Sequence, residues 1–244
     1  MKTKISIILL VSIAITNTGC LRTYYPMIYE SSTSPIIFET ANKDTTNTKY
    51  VSGELLLAKG DYENETVQLV KGSYIISKTK DYINTNMKLF GYSGFYKVSG
   101  LEKYNGLKNS FGFGAEGSVN INLKIEELRI GIGGSFGVAT EFGDYYQFRK
   151  SANKEGVIDS KTGFGFFTFS LFPVIAYQFS ESTIISTQIN IGMPGLISPS
   201  IVLNNDDVVY WLSWIPNDKN KNDYMGRRFM FGVNINLNGL MAGF

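Results

Sequence analysis

The sequence predicts an all-β fold, an antiparallel up-and-down β-barrel of about eight strands. Three observations lead to this prediction. Apolar and polar residues alternate with period two along several segments, the composition is rich in glycine and aromatic residues, and short connections are separated by long ones. The 244 residues include 25 glycines, 17 phenylalanines and 15 tyrosines, but only 6 prolines. Aromatic residues favour strands, and no stretch after residue 20 keeps a sustained helical period.

The alternation is clearest from Val119 to Glu126, where every odd position is apolar and every even position is polar. Segments 183–191 and 229–238 repeat the pattern. Because successive side chains of a strand point to opposite faces, each segment has one apolar and one polar face. The small and polar residues on the second face suit the lumen of a narrow barrel. Strands are therefore predicted at 50–59, 66–77, 87–99, 109–125, 128–143, 162–179, 183–194 and 227–238.

Connection lengths favour a barrel over a soluble β-sandwich, which remains the alternative. The connections at Glu126–Glu127 and at 180–182 are very short, whereas 144–161 is a long loop and the connection after 194 is longer still. Membrane β-barrels have short periplasmic turns and long outer loops. If both short turns are periplasmic, an even strand count places the start of the first strand and the end of the last strand there too.

The first 20 residues have the layout of a secretory signal peptide. Two lysines precede an apolar run at 5–15, which is too short to span a bilayer, and a small polar stretch follows. Thr18, Gly19 and Cys20 resemble the lipobox of bacterial lipoproteins. The resemblance implies cleavage between Gly19 and Cys20, and attachment of membrane lipid, with palmitate-type acyl chains, to the thiol of Cys20.

The chain is thus divided into a lipoprotein signal peptide (1–19), a lipidated polar tether (20–48) and a β-barrel domain (49–244). Polar runs at 30–35 and 42–48 show no period, which indicates the tether. We expect this tether in the periplasm, at the end of the barrel where the first strand begins.

The last strand resembles the C-terminal targeting strand of outer-membrane barrels. Apolar residues alternate from Phe229 to Leu237, and Phe244 is aromatic. Taken with the strands and loops, residues 49–244 resemble small outer-membrane barrels of the OmpA or OmpX kind. The resemblance implies a lipid-anchored protein of the outer membrane of a Gram-negative bacterium, whose wall contacts lipid. Aromatic residues are then expected to form interfacial girdles, for example Tyr145, Tyr146, Phe148, Tyr177, Phe179, Tyr210, Trp211 and Trp214.

Histidine is absent from the sequence, and this excludes several functions. Hydrolases with a histidine base and histidine-ligated zinc or haem sites cannot be built. The 23 basic and 21 acidic residues nearly cancel, so no nucleic-acid partner is indicated. We predict no enzyme activity, no metal site and no cofactor.

Two groups of residues are candidates for function. Six charged residues fall on or near the polar faces of neighbouring predicted strands, and we expect them to pair across the lumen because an unpaired buried charge is costly. These candidate lumen charges are Glu116, Lys124, Glu126, Arg129, Glu141 and Arg149. The segment 208–216 is unusually apolar for an exposed loop, and three alternatives stay open: it extends the barrel wall, caps the barrel mouth or meets a partner. For the last alternative, Tyr210, Trp211 and Trp214 are the candidates for the contact.

These features favour a non-enzymatic protein with a structural or accessory role in the cell envelope, in contact with an envelope protein through the long loops. Two alternatives stay open. The first is a periplasmic or surface β-sandwich lipoprotein that binds a ligand or an envelope partner. The second is a small channel or a lipid-binding barrel.

Overall fold

A computed structural model describes residues 21–31, 33–39, 45–60, 62–80, 82–163, 165–193, 196–215, 218–220, 223–225 and 228–238. Ten strands in these ranges form one closed barrel. In chain order they are β1 (Thr45–Lys59), β2 (Thr66–Lys80), β3 (Ile83–Val98), β4 (Gly106–Ile125), β5 (Leu128–Thr140), β6 (Gly165–Gln178), β7 (Thr183–Met193), β8 (Leu196–Asn205), β9 (Val208–Ile215) and β10 (Arg228–Asn236).

Each barrel strand pairs antiparallel with the strands before and after it in the chain. Strand β10 pairs with β1, with Phe229 opposite Leu57, and this pairing closes the sheet. The predicted all-β antiparallel barrel is therefore confirmed. The β-sandwich alternative is wrong, because a single sheet closes on itself where a sandwich needs two.

The predicted count of about eight strands is wrong, since the barrel has ten. The two additional strands are β8 and β9, in the region after residue 194 that was predicted as a long loop. Pro199 lies within β8, opposite Ile189 of β7. A proline cannot donate a hydrogen bond to a strand ladder and argues against a strand, which hides β8 in the sequence.

The barrel wall is apolar outside and polar inside. Burial alternates residue by residue along β2, β3 and β6. Outward side chains are large and apolar, such as Leu89, Ile132 and Leu171, whereas buried inward positions carry many Ser, Asn, Gln, Glu and Lys residues. Soluble proteins have the reverse arrangement, and an apolar outer face with a polar lumen is typical of barrels that lie in lipid.

Exposed aromatic side chains gather near both rims of the wall. Of the predicted girdle residues, Tyr177, Phe179 and Tyr210 lie at one rim, together with Tyr82, and Trp214 lies near the other. The prediction is wrong for Tyr145, Phe148 and Trp211, which are 3 % exposed or less, and Tyr146 is half-buried. Exposed aromatics near the opposite rim are Phe95, Phe111, Phe113, Phe167, Trp214 and Phe229.

The two ends of the barrel differ. At one end, here called the turn end, the connections are as short as Glu126–Glu127 and Asp206–Asp207. Strand β1 begins and strand β10 ends there. The other end, here called the loop end, carries the connections 60–65, 99–105 and 141–164.

The predicted loop 144–161 is largely helical. It holds helix α1 (Asp144–Lys154) and a short strand, Ile158–Asp159, that pairs in parallel with Arg22–Thr23. The loop end also has a 3₁₀ turn at Glu102–Tyr104 and a small hairpin of Asp218–Asn220 with Asp223–Met225.

The chain before β1 fills the barrel. We call residues 21–31 and 33–39 the plug. Its apolar side chains are 3 % exposed or less at Tyr24, Met27, Ile36 and Phe38, and a 3₁₀ turn spans Met27–Glu30. The expected polar tether is therefore wrong for these residues, because they pack against the lumen wall instead of lying in solvent. The predicted signal peptide and Phe244 lie outside the described residues.

Close packing inside the wall gives a test of this fold. A Cβ added at Gly232 would meet the indole ring of Trp211, whereas a Cβ at Gly72 would meet no atom within 4 Å. Overpacking of this kind costs about 1–3 kcal/mol. We expect Gly232→Ala to lower the urea midpoint of the barrel in detergent micelles, and Gly72→Ala to leave it unchanged. Equal midpoints for both variants would contradict the inward position of Trp211.

Candidate functional site

The candidate site is the contact between the plug and the lumen wall, and it begins at the loop end with an aromatic cluster. The Tyr24 ring packs edge-on against Phe148 of α1 and Tyr96 of β3. The Tyr24 hydroxyl donates a 2.6 Å hydrogen bond to Glu65, and the Tyr96 hydroxyl donates a 2.8 Å bond to the other oxygen of that carboxylate. Tyr145 of α1 stacks on Tyr96. These rings close the lumen beneath the helix.

A buried ion pair attaches α1 to the wall and to the plug. Arg149 of α1 pairs with Glu141, and both side chains are fully buried. The other Glu141 oxygen accepts a 3.0 Å hydrogen bond from the backbone N–H of Met27 and a 2.9 Å bond from Ser110. Arg149 also donates to the carbonyl of Lys161 over 2.7 Å. One carboxylate thus joins the helix, the wall and the plug.

A second buried ion pair fixes the middle of the plug. Glu30 lies 2.6 Å from the guanidinium of Arg228, the first residue of β10, and both side chains are 1 % exposed or less. Arg228 also donates to the carbonyl of Tyr29. Breaking a buried pair of this kind leaves an uncompensated charge, so the contact resists withdrawal of the plug.

The centre of the lumen holds a cluster of charges from three adjacent strands. Glu54 of β1 is 2.6 Å from Lys71 of β2 and 2.5 Å from Lys88 of β3, and all three are buried. Ser34 of the plug donates to Glu54 over 2.9 Å and accepts from Lys88 over 2.5 Å. A cavity of about 20 Å³ lies beside this cluster, and Ser34, Lys88 and Glu116 of β4 line it. The Ser34 hydroxyl therefore joins the plug to Glu54 and Lys88 of this cluster.

Below the centre, wall side chains satisfy the plug backbone. The amide oxygen of Gln188 accepts from the N–H of Ile36 over 3.0 Å. The amide of Asn190 donates to the carbonyl of Thr33 over 3.3 Å, and the amide of Asn204 donates to the carbonyl of Phe38. An extended chain has no helical or sheet partners of its own, so buried backbone groups need such bonds.

The turn end of the plug is held at Glu39. Its carboxylate accepts a 3.0 Å hydrogen bond from the Tyr50 hydroxyl of β1. Its carbonyl accepts a 3.2 Å bond from Arg129 of β5. The plug therefore has polar anchors from one barrel end to the other.

The six candidate lumen charges fall into two sets. Glu116, Arg129, Glu141 and Arg149 contact or line the plug site, although Arg149 comes from α1 and not from a strand. Lys124 is exposed near the turn end, and Glu126 is an exposed turn residue with a φ of 54°. Glu126 lies beyond β4, which ends at Ile125, whereas Lys124 is the last but one residue of β4 and is exposed at the turn-end rim.

Sequence reasoning missed several residues of the site. Lys71 and Lys88 lie on the polar faces of predicted strands, so the alternation could have indicated them. Three consecutive leucines, 55–57, obscure the alternation after Glu54. Glu30 was assigned to the tether, and Arg228 gives no signal because its partner is about two hundred residues away.

The predicted partner-contact segment is part of the wall. Residues 208–215 form β9, so this segment extends the barrel wall, which was one of its three alternatives. Tyr210 and Trp214 face outward, at 44 % and 38 % exposure, while Trp211 is 2 % exposed and faces the lumen. A buried Trp211 cannot contact a partner; contact through the other two stays a prediction.

No family model matches the sequence, and no curated protein matches it. Among solved structures, the chain is similar to neisserial surface protein A (8 % identity, 79 % of this chain and 99 % of that chain, TM-score 0.33). It is also similar to the outer membrane protein OprG of Pseudomonas aeruginosa (9 % identity, 82 % of this chain and 99 % of that chain, TM-score 0.40). A third similar structure is the β domain of the Bordetella autotransporter BrkA (7 % identity, 78 % of this chain and 98 % of that chain, TM-score 0.43). Similarities this distant assign neither a ligand nor an activity, and the barrel is defined by its own strand pairing.

Within the described ranges, no group of three or more acidic or cysteine side chains could hold a metal ion. No helix in those ranges is long and apolar enough to cross a membrane.

The central charge cluster gives a prediction. Glu54→Gln would leave Lys71 and Lys88 buried without their shared carboxylate, and loss of one partner from a buried pair costs about 3–5 kcal/mol. We expect a large drop in the urea midpoint, measured by tryptophan fluorescence in detergent micelles.

The matched control is Glu155→Gln, which removes the exposed Lys103–Glu155 pair of 2.6 Å at the loop end. The hydrogen bond from Lys103 lowers the pKa of Glu155, but solvent screens this contact. The control should unfold like the wild type. A Glu54 variant as stable as the control would show that the lysines are not buried.

Proposed function

We propose that this protein is a non-enzymatic, lipid-anchored outer-membrane β-barrel with a structural or accessory role in the cell envelope, and that its own N-terminal segment closes its lumen. The observation that carries this proposal is the plug, which runs through a barrel whose outer wall is apolar. A lumen filled in this way offers no path for solutes, and its buried charges are used to hold the plug.

The outer wall supports a membrane location. Nine of the ten strands have nine or more residues, which is the length that a tilted strand needs to cross a bilayer core. Exposed aromatics near each rim match the interfacial girdles of outer-membrane barrels, with aliphatic residues such as Leu89 and Ile132 between them.

The lipid anchor is supported by the signal-peptide layout and by the lipobox-like Thr18-Gly19-Cys20. Acyl chains contribute about 0.8 kcal/mol per buried methylene, so two or three chains at Cys20 would hold the chain at a membrane surface independently of the barrel. The loop end, with α1 and the small hairpin, offers the surface for an envelope protein partner.

Conductance separates a closed accessory barrel from a small channel. We expect the purified wild-type barrel to give no steady conductance in planar bilayers, because the plug fills the lumen. Deletion of residues 22–39 should open a pore in those molecules that remain folded, as judged by heat-modifiable migration on gels. Stable single-channel steps from the wild type would overturn the closed-barrel proposal in favour of a channel.

Acylation is tested separately. Mass spectrometry of the N-terminal peptide should find a diacylglyceryl group on Cys20, and Cys20→Ser should abolish it while the barrel keeps its heat-modifiable migration. A mature wild-type chain with a free Cys20 thiol would contradict the lipid anchor and leave the closed barrel intact.

A further inference from the structure

We infer that the plug threads the barrel from the cell surface to the periplasm, so that the mature N-terminus, with the lipid on Cys20, emerges on the outer face of the outer membrane. This inference rests on the proposed function for the membrane location and for the anchor. The direction of the thread comes from the contacts of the plug.

Those contacts follow the chain from the loop end to the turn end. Arg22 donates to the carbonyl of Ser99, and the N–H of Thr23 donates to the hydroxyl of Tyr62, both in loop-end connections. The N–H of Tyr24 donates to the carbonyl of Asp159 in the connection that contains α1. The first plug residues are therefore fixed at the loop end.

The later contacts lie progressively deeper. Glu30 meets Arg228, where β10 begins at the loop end, and Ser34 meets the mid-barrel residue Glu54. Phe38 meets Asn204, one residue before β8 ends at the turn end. Among the recorded contacts of residues 21–31 and 33–39, none reverses this order, so the plug runs through the lumen once.

The two ends of the plug therefore open on opposite faces. Leu21 is 50 % exposed beside the loop-end strand pair of Arg22–Thr23 with Ile158–Asp159. Strand β1 begins at the turn end, at Thr45. Short turns of outer-membrane barrels are periplasmic and long loops are external. Leu21 thus lies on the external side of the barrel, which reverses the expectation of a periplasmic tether.

The threading also constrains assembly. The barrel is closed by the pairing of β10 with β1, and the plug is enclosed by all ten strands. An acylated end cannot be drawn through a lumen already packed with side chains. The last strand must therefore close around a segment that is already in place, with its lipidated end on the far side.

Single cysteines and a membrane-impermeant maleimide test the topology in intact cells. Leu21→Cys is the reporter. Lys103→Cys, whose parent side chain is 66 % exposed, marks the loop end, and Glu127→Cys in an exposed turn marks the turn end. The wild type, with Cys20 as its one cysteine, is the blank, because an acylated thiol cannot react.

We expect Leu21→Cys and Lys103→Cys to be labelled in intact cells, and Glu127→Cys only after permeabilisation. Suppose that Lys103→Cys is labelled in intact cells but Leu21→Cys, like Glu127→Cys, is labelled only after permeabilisation. The threading direction is then wrong, while the proposed outer-membrane barrel is not contradicted. If Glu127→Cys is labelled in intact cells and Lys103→Cys is not, the turn end faces the cell exterior. The N-terminal end of the plug would then lie on the periplasmic side, which overturns the inference. Labelling of the blank, or no recovery of the three variants in the outer membrane, counts against the proposed function itself.

Discussion

The inner wall of a ten-stranded barrel must be filled, and the charges on it must be paired. Eight strands enclose a space that the wall side chains fill by themselves, and each added strand widens the lumen. Here ten strands leave room for one further chain, and the plug occupies it. Wall side chains such as Gln188 and Asn204 bond the plug backbone, while plug groups such as Ser34 complete the wall's charge cluster. The plug backbone and the charged groups of the wall therefore depend on each other for their hydrogen bonds.

The contacts between the plug and the wall differ in kind along the barrel axis. At the loop end, aromatic rings around Tyr24 and the Glu141–Arg149 pair cover the lumen beneath α1. Where β10 begins at the loop end, the Glu30–Arg228 pair holds the segment, and deeper in the barrel Ser34 bonds Glu54 and Lys88 of the charge cluster. Hydrophobic burial therefore closes the mouth, and charge pairing fixes the depth at which the plug lies.

The strand alternation of the wall could be predicted from the sequence because it is local. Period two indicated the antiparallel class, the polar lumen and the turns at Glu126–Glu127 and 180–182, but not the turn at Asp206–Asp207. Strands β8 and β9 were missed because Pro199 interrupts one, and because the apolar run of the other was assigned to an exposed loop. Applied to that run, the same period would have separated the inward Trp211 from the outward Tyr210 and Trp214.

The plug could not be predicted in this way, because a chain inside a lumen contacts walls on every side and shows no period. Its polar residues matched a solvated tether equally well. Only partners far away in sequence, such as Arg228 for Glu30 and Asn204 for Phe38, reveal its place.

Amide hydrogen exchange of the wild-type protein in detergent micelles tests the central claim most directly, because it needs no substitution. Most side chains of residues 24–31 and 33–38 are buried, and backbone groups among them are bonded to the wall. Their amides should exchange as slowly as those of β2 and become labile only when the barrel unfolds. Exchange of residues 24–38 at the rate of an unstructured chain, beside protected barrel strands, would show that the segment is a free tether and that the lumen is not filled by it.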